Sequence, residues 1–419
     1  MRGMSTRLGR SFASHVGGLP RLFWWLWSGA LLSALATFVF PFLALFLTAR
    51  GMSPSTTGLV ASFFAGGMIF AGPLGGALAD RIGRKPTMLI GLFTAAVCAA
   101  VLALLTSPVA IAAVVFAFGV SSQATSPAIM AMLADIIPEE SRARAFGLVY
   151  WANNVGTGVS LVAGGVLAQK GWALPFCLDA ATTLIFAFVV LVRVPETRPP
   201  PGVQDVKAGR GFANFVGLST VLRDRIFVAF LVLVVAFALA FWQFQVALPI
   251  TMTLAGLQPS AFGAVLAVNA FVIALVQPWS SKPLSRFSEA QALSLASVLV
   301  GAGLGAYAFC RTSLQFAFAT AVWSFGEIAF MPVAAAVTAH LAPPALRGRY
   351  SGALGLSFGA SGFVATILGP ALLQRSGPSA LWFSCLALGL AVAAGEVLFG
   401  RMMARRPTAT VPAADEATP

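Results

Sequence analysis

Charge is what this sequence has least of. Asp, Glu, Lys and Arg make up 9% of its 419 residues, where a soluble domain carries about a quarter. So few charges cannot clothe a water-facing surface, which excludes an ordinary soluble protein. Histidine is nearly missing. His15 and His340 are the only two and sit in polar flanks, leaving no ligand set for a metal and no His-based catalytic constellation. The four cysteines, Cys98, Cys177, Cys310 and Cys385, lie far apart, each in an apolar run. They form no disulfide framework and read as small buried hydrophobes. No Gly-x-x-x-x-Gly-Lys loop occurs, so an ATP motor within this chain is excluded. No enzyme and no cofactor is expected.

What is abundant is apolar: 58% of residues, with mean hydropathy +0.89. A bilayer absorbs that much apolar surface; a soluble core does not. Runs long enough to cross hydrocarbon fall near 23–48, 56–79, 87–106, 109–134, 145–168 and 172–192, then 226–250, 260–281, 291–310, 314–338, 350–373 and 378–400. The expectation is an all-α polytopic membrane protein with twelve transmembrane helices. Residues 1–21 and 401–419 form cytoplasmic ends, 22–192 and 225–400 form two six-helix bundles, and 193–224 links them. Phe212, Phe215, Val216 and Leu218 in the linker suit either a short amphipathic surface helix or a plain flexible connection.

The net charge of +13 is a topology signal. Of 26 Lys and Arg residues, only Arg50, Lys170, Arg311 and Arg375 fall in odd-numbered loops. The other 22 lie at the termini or in even-numbered loops, which places both termini in the cytoplasm. Nucleic-acid binding thereby loses its only support. Trp24, Trp25 and Trp27 mark an interfacial belt at the inner end of the first span.

The two halves repeat at an offset of 205 residues. Gly51, Pro54, Ser55, Gly58, Arg81 and Pro127 align with Gly256, Pro259, Ser260, Gly263, Arg286 and Pro332. Pro138, Arg142, Arg144, Gly147 and Gly164 align with Pro343, Arg347, Arg349, Gly352 and Gly369. Two six-helix repeats of one orientation around a central cavity make an alternating-access architecture.

Polar groups at bilayer depth are the candidate working residues. Glu327 stands near the middle of the tenth span, where a charge is costly and normally faces a cavity or takes up a proton. It is the first candidate for proton coupling, or for pairing with a cationic substrate; a structural hydrogen bond is the alternative. Asp179, about seven residues into the sixth span, is the second. Glu396, near the inner end of the last span, is expected to reach the headgroups. Gln123, Asn154, Gln243, Gln245 and Asn269 are candidates to line the substrate cavity or to pair with one another. Phe38, Phe40, Phe237, Phe241, Trp242 and Phe325 offer an aromatic cavity wall or lipid-facing surface.

The loop Gly76-Ala77-Leu78-Ala79-Asp80-Arg81-Ile82-Gly83-Arg84-Lys85 closely resembles the signature loop of the major facilitator superfamily. Within it, Pro41-Phe42-Leu43-Ala44, Gln245 with Pro249, Gly263, Asn269, Gln277-Pro278, Gly326-Glu327 with Pro332, and Arg347-Gly348-Arg349-Tyr350 resemble the twelve-helix bacterial drug:proton antiporters. Two positions depart from that group: Val115 stands where an arginine is common, and Ser160-Leu161 replaces a Gly-Pro pair in the fifth span.

The resemblance implies the major facilitator fold in a bacterial-type cytoplasmic membrane, as a monomer. It implies proton-coupled efflux of small lipophilic or cationic compounds, with substrate, protons and lipid as the partners. A carrier for a specific metabolite, in either direction and not necessarily proton-coupled, is the alternative. It also implies a cytoplasmic gate. Asp80, Arg81, Gly83, Arg84, Asp135 and Arg142 form it, with Asp80 facing the start of the eleventh span near Tyr350 and Arg84 pairing with Asp135.

Overall fold

A computed structural model describes residues 19–197, 221–343 and 346–404. The candidate surface helix at Phe212–Leu218 and His15 fall outside the described residues. Within them the chain is helical throughout: α1 (Arg21–Ala34), α2 (Val39–Ala49), α3 (Pro54–Arg81), α4 (Arg84–Leu102), α5 (Pro108–Ile136), α6 (Glu139–Ala168), α7 (Ala173–Arg193), α8 (Arg225–Phe241), α9 (Gln243–Leu254), α10 (Pro259–Leu284), α11 (Glu289–Ala306), α12 (Ser313–Leu341) and α13 (Arg347–Ala404).

Ten helical segments among the described residues are long and apolar enough to cross a membrane. The last, α13, runs for 58 residues but is two helices joined at Gly377, whose φ of 81° only glycine adopts freely. That break divides a length of about 87 Å at 1.5 Å per residue into two bilayer-sized pieces. α6 is 30 residues long and less apolar, because Glu139, Glu140, Arg142 and Arg144 open it. The outer surface carries large apolar side chains such as Leu104, Leu275 and Phe318, each at least 70% exposed. A water-soluble monomer does not present such a surface. The protein is an all-α polytopic membrane protein.

Helix starts are written locally. Pro54 opens α3 behind Ser53, whose hydroxyl accepts from Thr56 N–H. Ser288 with Gln291 and Thr312 with Gln315 form capping boxes on α11 and α12. Tight contacts between helices fall on small residues. A methyl group on Gly67, Gly75 or Gly119 would run into the backbone of a neighbouring helix, the packing that lets membrane helices approach without a hydrophobic driving force.

The first and seventh hydrophobic runs are not single helices. Arg21–Ala49 is interrupted between α1 and α2, at Leu35–Phe38, and Arg225–Leu254 is interrupted between α8 and α9 at Trp242. Thr37 plus the repeat offset of 205 is Trp242, so the breaks fall at equivalent places.

Two sequence expectations are corrected. Cys177 is exposed, while Cys98, Cys310 and Cys385 are buried; Cys177 points off the outer side of α7. Glu396, expected to reach out to the headgroups, is instead buried at 1% exposure. Five residues before Arg401, it packs against the rest of the second half instead of turning toward the helix end.

Candidate functional site: a polar cavity, two carboxylates and a tied loop

The break in the first run supplies the floor of a cavity. Interrupting a helix frees backbone groups that hydrocarbon cannot satisfy. Here Asp179 Oδ2 accepts from Phe38 N–H at 2.8 Å and Val39 N–H at 3.0 Å, placing a carboxylate on the positive end of α2. Ser160 Oγ donates to Thr37 O at 2.8 Å. Ser160 is one of the two residues that replace the expected Gly-Pro pair, and its hydroxyl ties α6 to the break. In the second half the polarity is exchanged: Gln243 Nε2 donates to Leu239 O at 3.0 Å and Ala365 O at 3.1 Å. Ala365 is the repeat equivalent of Ser160.

A cavity of about 330 Å³ opens beside the first break. Thr37, Phe40, Ser122, Gln123, Asn153, Thr157, Asp179 and Thr183 line it, with Phe40 stacked on Phe64 at 3.8 Å between ring centroids. It has the mix of apolar wall and few convergent polar groups typical of a small-molecule site. Gln123 and Asp179 thus meet in one cavity. Asn154 does not line it; its amide turns back to Tyr150 O at 2.9 Å, and the neighbouring Asn153 takes the lining position instead. Helical phase explains the miss, since adjacent residues point about 100° apart. Gln245 lies at the seam of the halves, with Nε2 3.4 Å from Phe40 O.

In the second half Asn269 joins α10 to α12. Its Nδ2 lies 2.8 Å from Glu327 Oε2 and 3.0 Å from Ser324 Oγ. No ion pair to Glu327 exists among the described residues. Nearby, Tyr150 of α6 donates to Gln277 Oε1 of α10 at 3.0 Å, a bond between the halves. Phe325 stands apart. It is 46% exposed and shares a face of α12 with Leu314 and Phe318, on the opposite side from Glu327 by helical phase. Phe237 and Phe241 are buried; Phe237 stacks on Phe330 at 3.5 Å. Val115, in place of the arginine common in that antiporter group, is fully buried.

The signature loop is tied down by a residue the sequence did not single out. Gly83 has φ 105°, a conformation that side chains resist, and any Cβ there would collide with the Glu196 carboxylate. Glu196 Oε1 accepts from Arg84 N–H at 3.0 Å and Oε2 from Lys85 N–H at 3.1 Å. The carboxylate caps the amino end of α4, where backbone N–H groups and the helix dipole favour negative charge. Arg84 is 7% exposed. Its Nε lies 2.9 Å from Asp135 Oδ2, and its Nη1 donates to Thr197 O at 3.2 Å. Burial pushes the Asp135 carboxyl upward and the Arg84 charge pulls it back. Arg142 Nε donates to Ile137 O. Lys85 Nζ donates to Leu191 O at 2.8 Å. Asp80 has no hydrogen bond or ion pair to a described residue, and Arg81 is exposed at the end of α3.

Two runs broken at matching positions, a polar cavity and a carboxylate at the middle of a spanning helix suit the passage of a small molecule. The sequence matches the model of the Major Facilitator Superfamily over residues 26–314 and 234–418, and the chain belongs to that superfamily, a transport family and not an enzyme family. Among its relatives is the Na(+), Li(+), K(+)/H(+) antiporter of Planococcus maritimus, 24% identical over 373 residues, with 82% of this chain and 86% of that protein covered. Multidrug resistance protein 2 of Bacillus subtilis (strain 168) is 27% identical, with 72% and 76% covered. A solved POT family transporter in complex with 5-aminolevulinic acid superposes with a TM-score of 0.77 at 14% identity, covering 93% of this chain and 98% of that one. At that identity the likeness speaks to the fold.

Proposed function

We propose that this protein is a twelve-span secondary active transporter that exports small lipophilic or cationic compounds in exchange for protons, with both termini in the cytoplasm. The observation that carries the reading is Glu327. It is a carboxylate in the middle of α12, held by one amide from Asn269 and without a cation partner among the described residues. A group so placed is costly to keep charged and is suited to reversible protonation. Alternating access presents it to one side and then the other, so one carboxylate serves uptake and release of the proton. Substrate occupies the cavity beside the broken first run, with Asp179 as its negative charge and Phe40 and Phe64 as its apolar wall.

The two halves correspond to residues 22–192 and 225–400, joined by 193–224. The Asp80–Lys85 loop, with Asp135, Arg142 and Glu196, forms the cytoplasmic gate. A second reading is exchange of a monovalent metal cation for protons, as the name of the Planococcus relative states for that protein. A carrier for one metabolite is a third. Purified protein in liposomes, loaded with a compound panel and given an imposed pH gradient, separates them. Proton-driven uphill flux of organic compounds supports the proposal. Flux that persists with the gradient collapsed favours a uniporter, and flux of alkali cations alone favours the second reading.

A further inference from the structure

The face of the bundle opposite the Gly83 loop carries two hydrogen bonds that cross between the halves. Gln169, just past α6, lies with Nε2 2.6 Å from Ser260 Oγ at the start of α10. Gln374, in α13 just before the Gly377 break, accepts from Ser55 N–H at 2.9 Å at the start of α3. Adding 205 to Gln169 gives Gln374, and adding 205 to Ser55 gives Ser260. The two bonds therefore join equivalent residue pairs, each half supplying one glutamine and one serine, although Gln169 donates to a serine hydroxyl and Gln374 accepts from a serine backbone N–H.

The steric contacts below them obey the same rule. A Cβ on Gly58 would strike Thr366 O, and a Cβ on Gly263 would strike Leu161 O. Gly58 and Gly263 are equivalent, as are Leu161 and Thr366. Three residue types and one backbone carbonyl position thus recur in register at one seam, and each makes its contact with the opposite half. Packing within a half would not require this, because the partners would then lie on the same side of the seam.

We infer that these crossed serine–glutamine clasps, seated on the Gly58 and Gly263 contacts, are the gate of this face. They hold the halves together in the facing state seen here and release as a pair when the face opens. The inference rests on the alternating-access reading but not on proton coupling or on any substrate. Because the halves move as bodies in such a cycle, neither clasp can open while the other stays closed. Each is a neutral, solvent-exposed bond, so its loss changes the closed-to-open ratio by about two- to thirteen-fold. Losing both multiplies the two factors.

The test is a distance measurement on the full chain in lipid nanodiscs, with spin labels at Lys170 and Arg375 and no substrate or pH gradient. Gln169→Ala and Gln374→Ala should each increase a longer-distance population by a similar factor, and the double variant should increase it by roughly the product. Ser260→Ala should reproduce Gln169→Ala and add nothing to it, since both remove the same bond. A steric check comes from Gly58→Ala and Gly263→Ala, which should shift the population in the same direction. Distance distributions unchanged in the double glutamine variant overturn the inference. So does an effect of Ser260→Ala that adds fully to that of Gln169→Ala. A failure of proton-driven transport in liposomes leaves these distances untouched, so the two readings fail separately.

Discussion

Asn269 Nδ2 lies 2.8 Å from Glu327 Oε2, and that single amide is the polar tie between α10 and α12 at the carboxylate. The same amide nitrogen reaches Ser324 Oγ, so Asn269 holds Glu327 in place through two points on one helix. A hydrogen bond to a charged group contributes about 1.5–3 kcal/mol, enough to decide where the carboxylate points. Asn269→Ala is expected to keep the protein inserted and to lower proton-driven transport about ten-fold or more. Flux at saturating substrate in a variant of normal expression is the measurement; wild-type flux would reduce Asn269 to a packing residue.

Glu196 should matter for stability before it matters for transport. Its carboxylate closes the amino end of α4, and an anion at a helix start contributes up to about 1 kcal/mol at an exposed site. Glu196→Gln is expected to lower the detergent-solubilised melting temperature slightly. Gly83→Ala should lower it further, because it adds backbone strain to a collision with that carboxylate. Equal melting curves for all three proteins would mean the cap is not formed in the purified state.

Asp80 has no described partner in this facing state, yet it ends α3 beside the loop that Glu196 and Arg84 anchor. Its contacts belong to the other facing state, so Asp80→Asn should insert normally and slow turnover. Wild-type turnover in a well-expressed variant would leave Asp80 with a role in topology alone.

Orientation is testable by labelling single cysteines introduced into a variant free of native ones, a necessary step because Cys177 is exposed. A residue in the Arg84 loop should react only from the cytoplasm, and residues beside Gly51 or Gly377 only from outside. The reverse pattern would contradict the charge-based orientation.

Much of the fold was legible because hydropathy and the 205-residue repeat are strong one-dimensional signals. The breaks at Leu35–Phe38 and Trp242 were not, because neither contains proline or glycine and the apolar run passes through both. They exist because distant groups, Asp179 and Ser160 in one half and Gln243 in the other, take up the freed backbone atoms. The sequence also offered Asp179 as a titrating acid, without its cap on α2, since a partner 140 residues away leaves no local trace. Glu196 was hidden for the same reason: it reaches the signature loop from the start of the linker, more than 110 residues away in sequence. Gln169 and Gln374 were readable in principle, for they sit on the repeat offset, but a glutamine in a turn looks like ordinary solvated loop.

If Glu327 carries the coupling proton, Glu327→Gln removes coupling without removing the carrier. The amide matches the protonated acid in size and hydrogen bonding but cannot release a proton. Proton flux and substrate flux are measured together in liposomes containing the variant, under an imposed pH gradient. Uphill substrate transport and its linked proton flux should be lost, while exchange of substrate down its own gradient survives. Undiminished proton-coupled uphill transport by Glu327→Gln would contradict that role for Glu327.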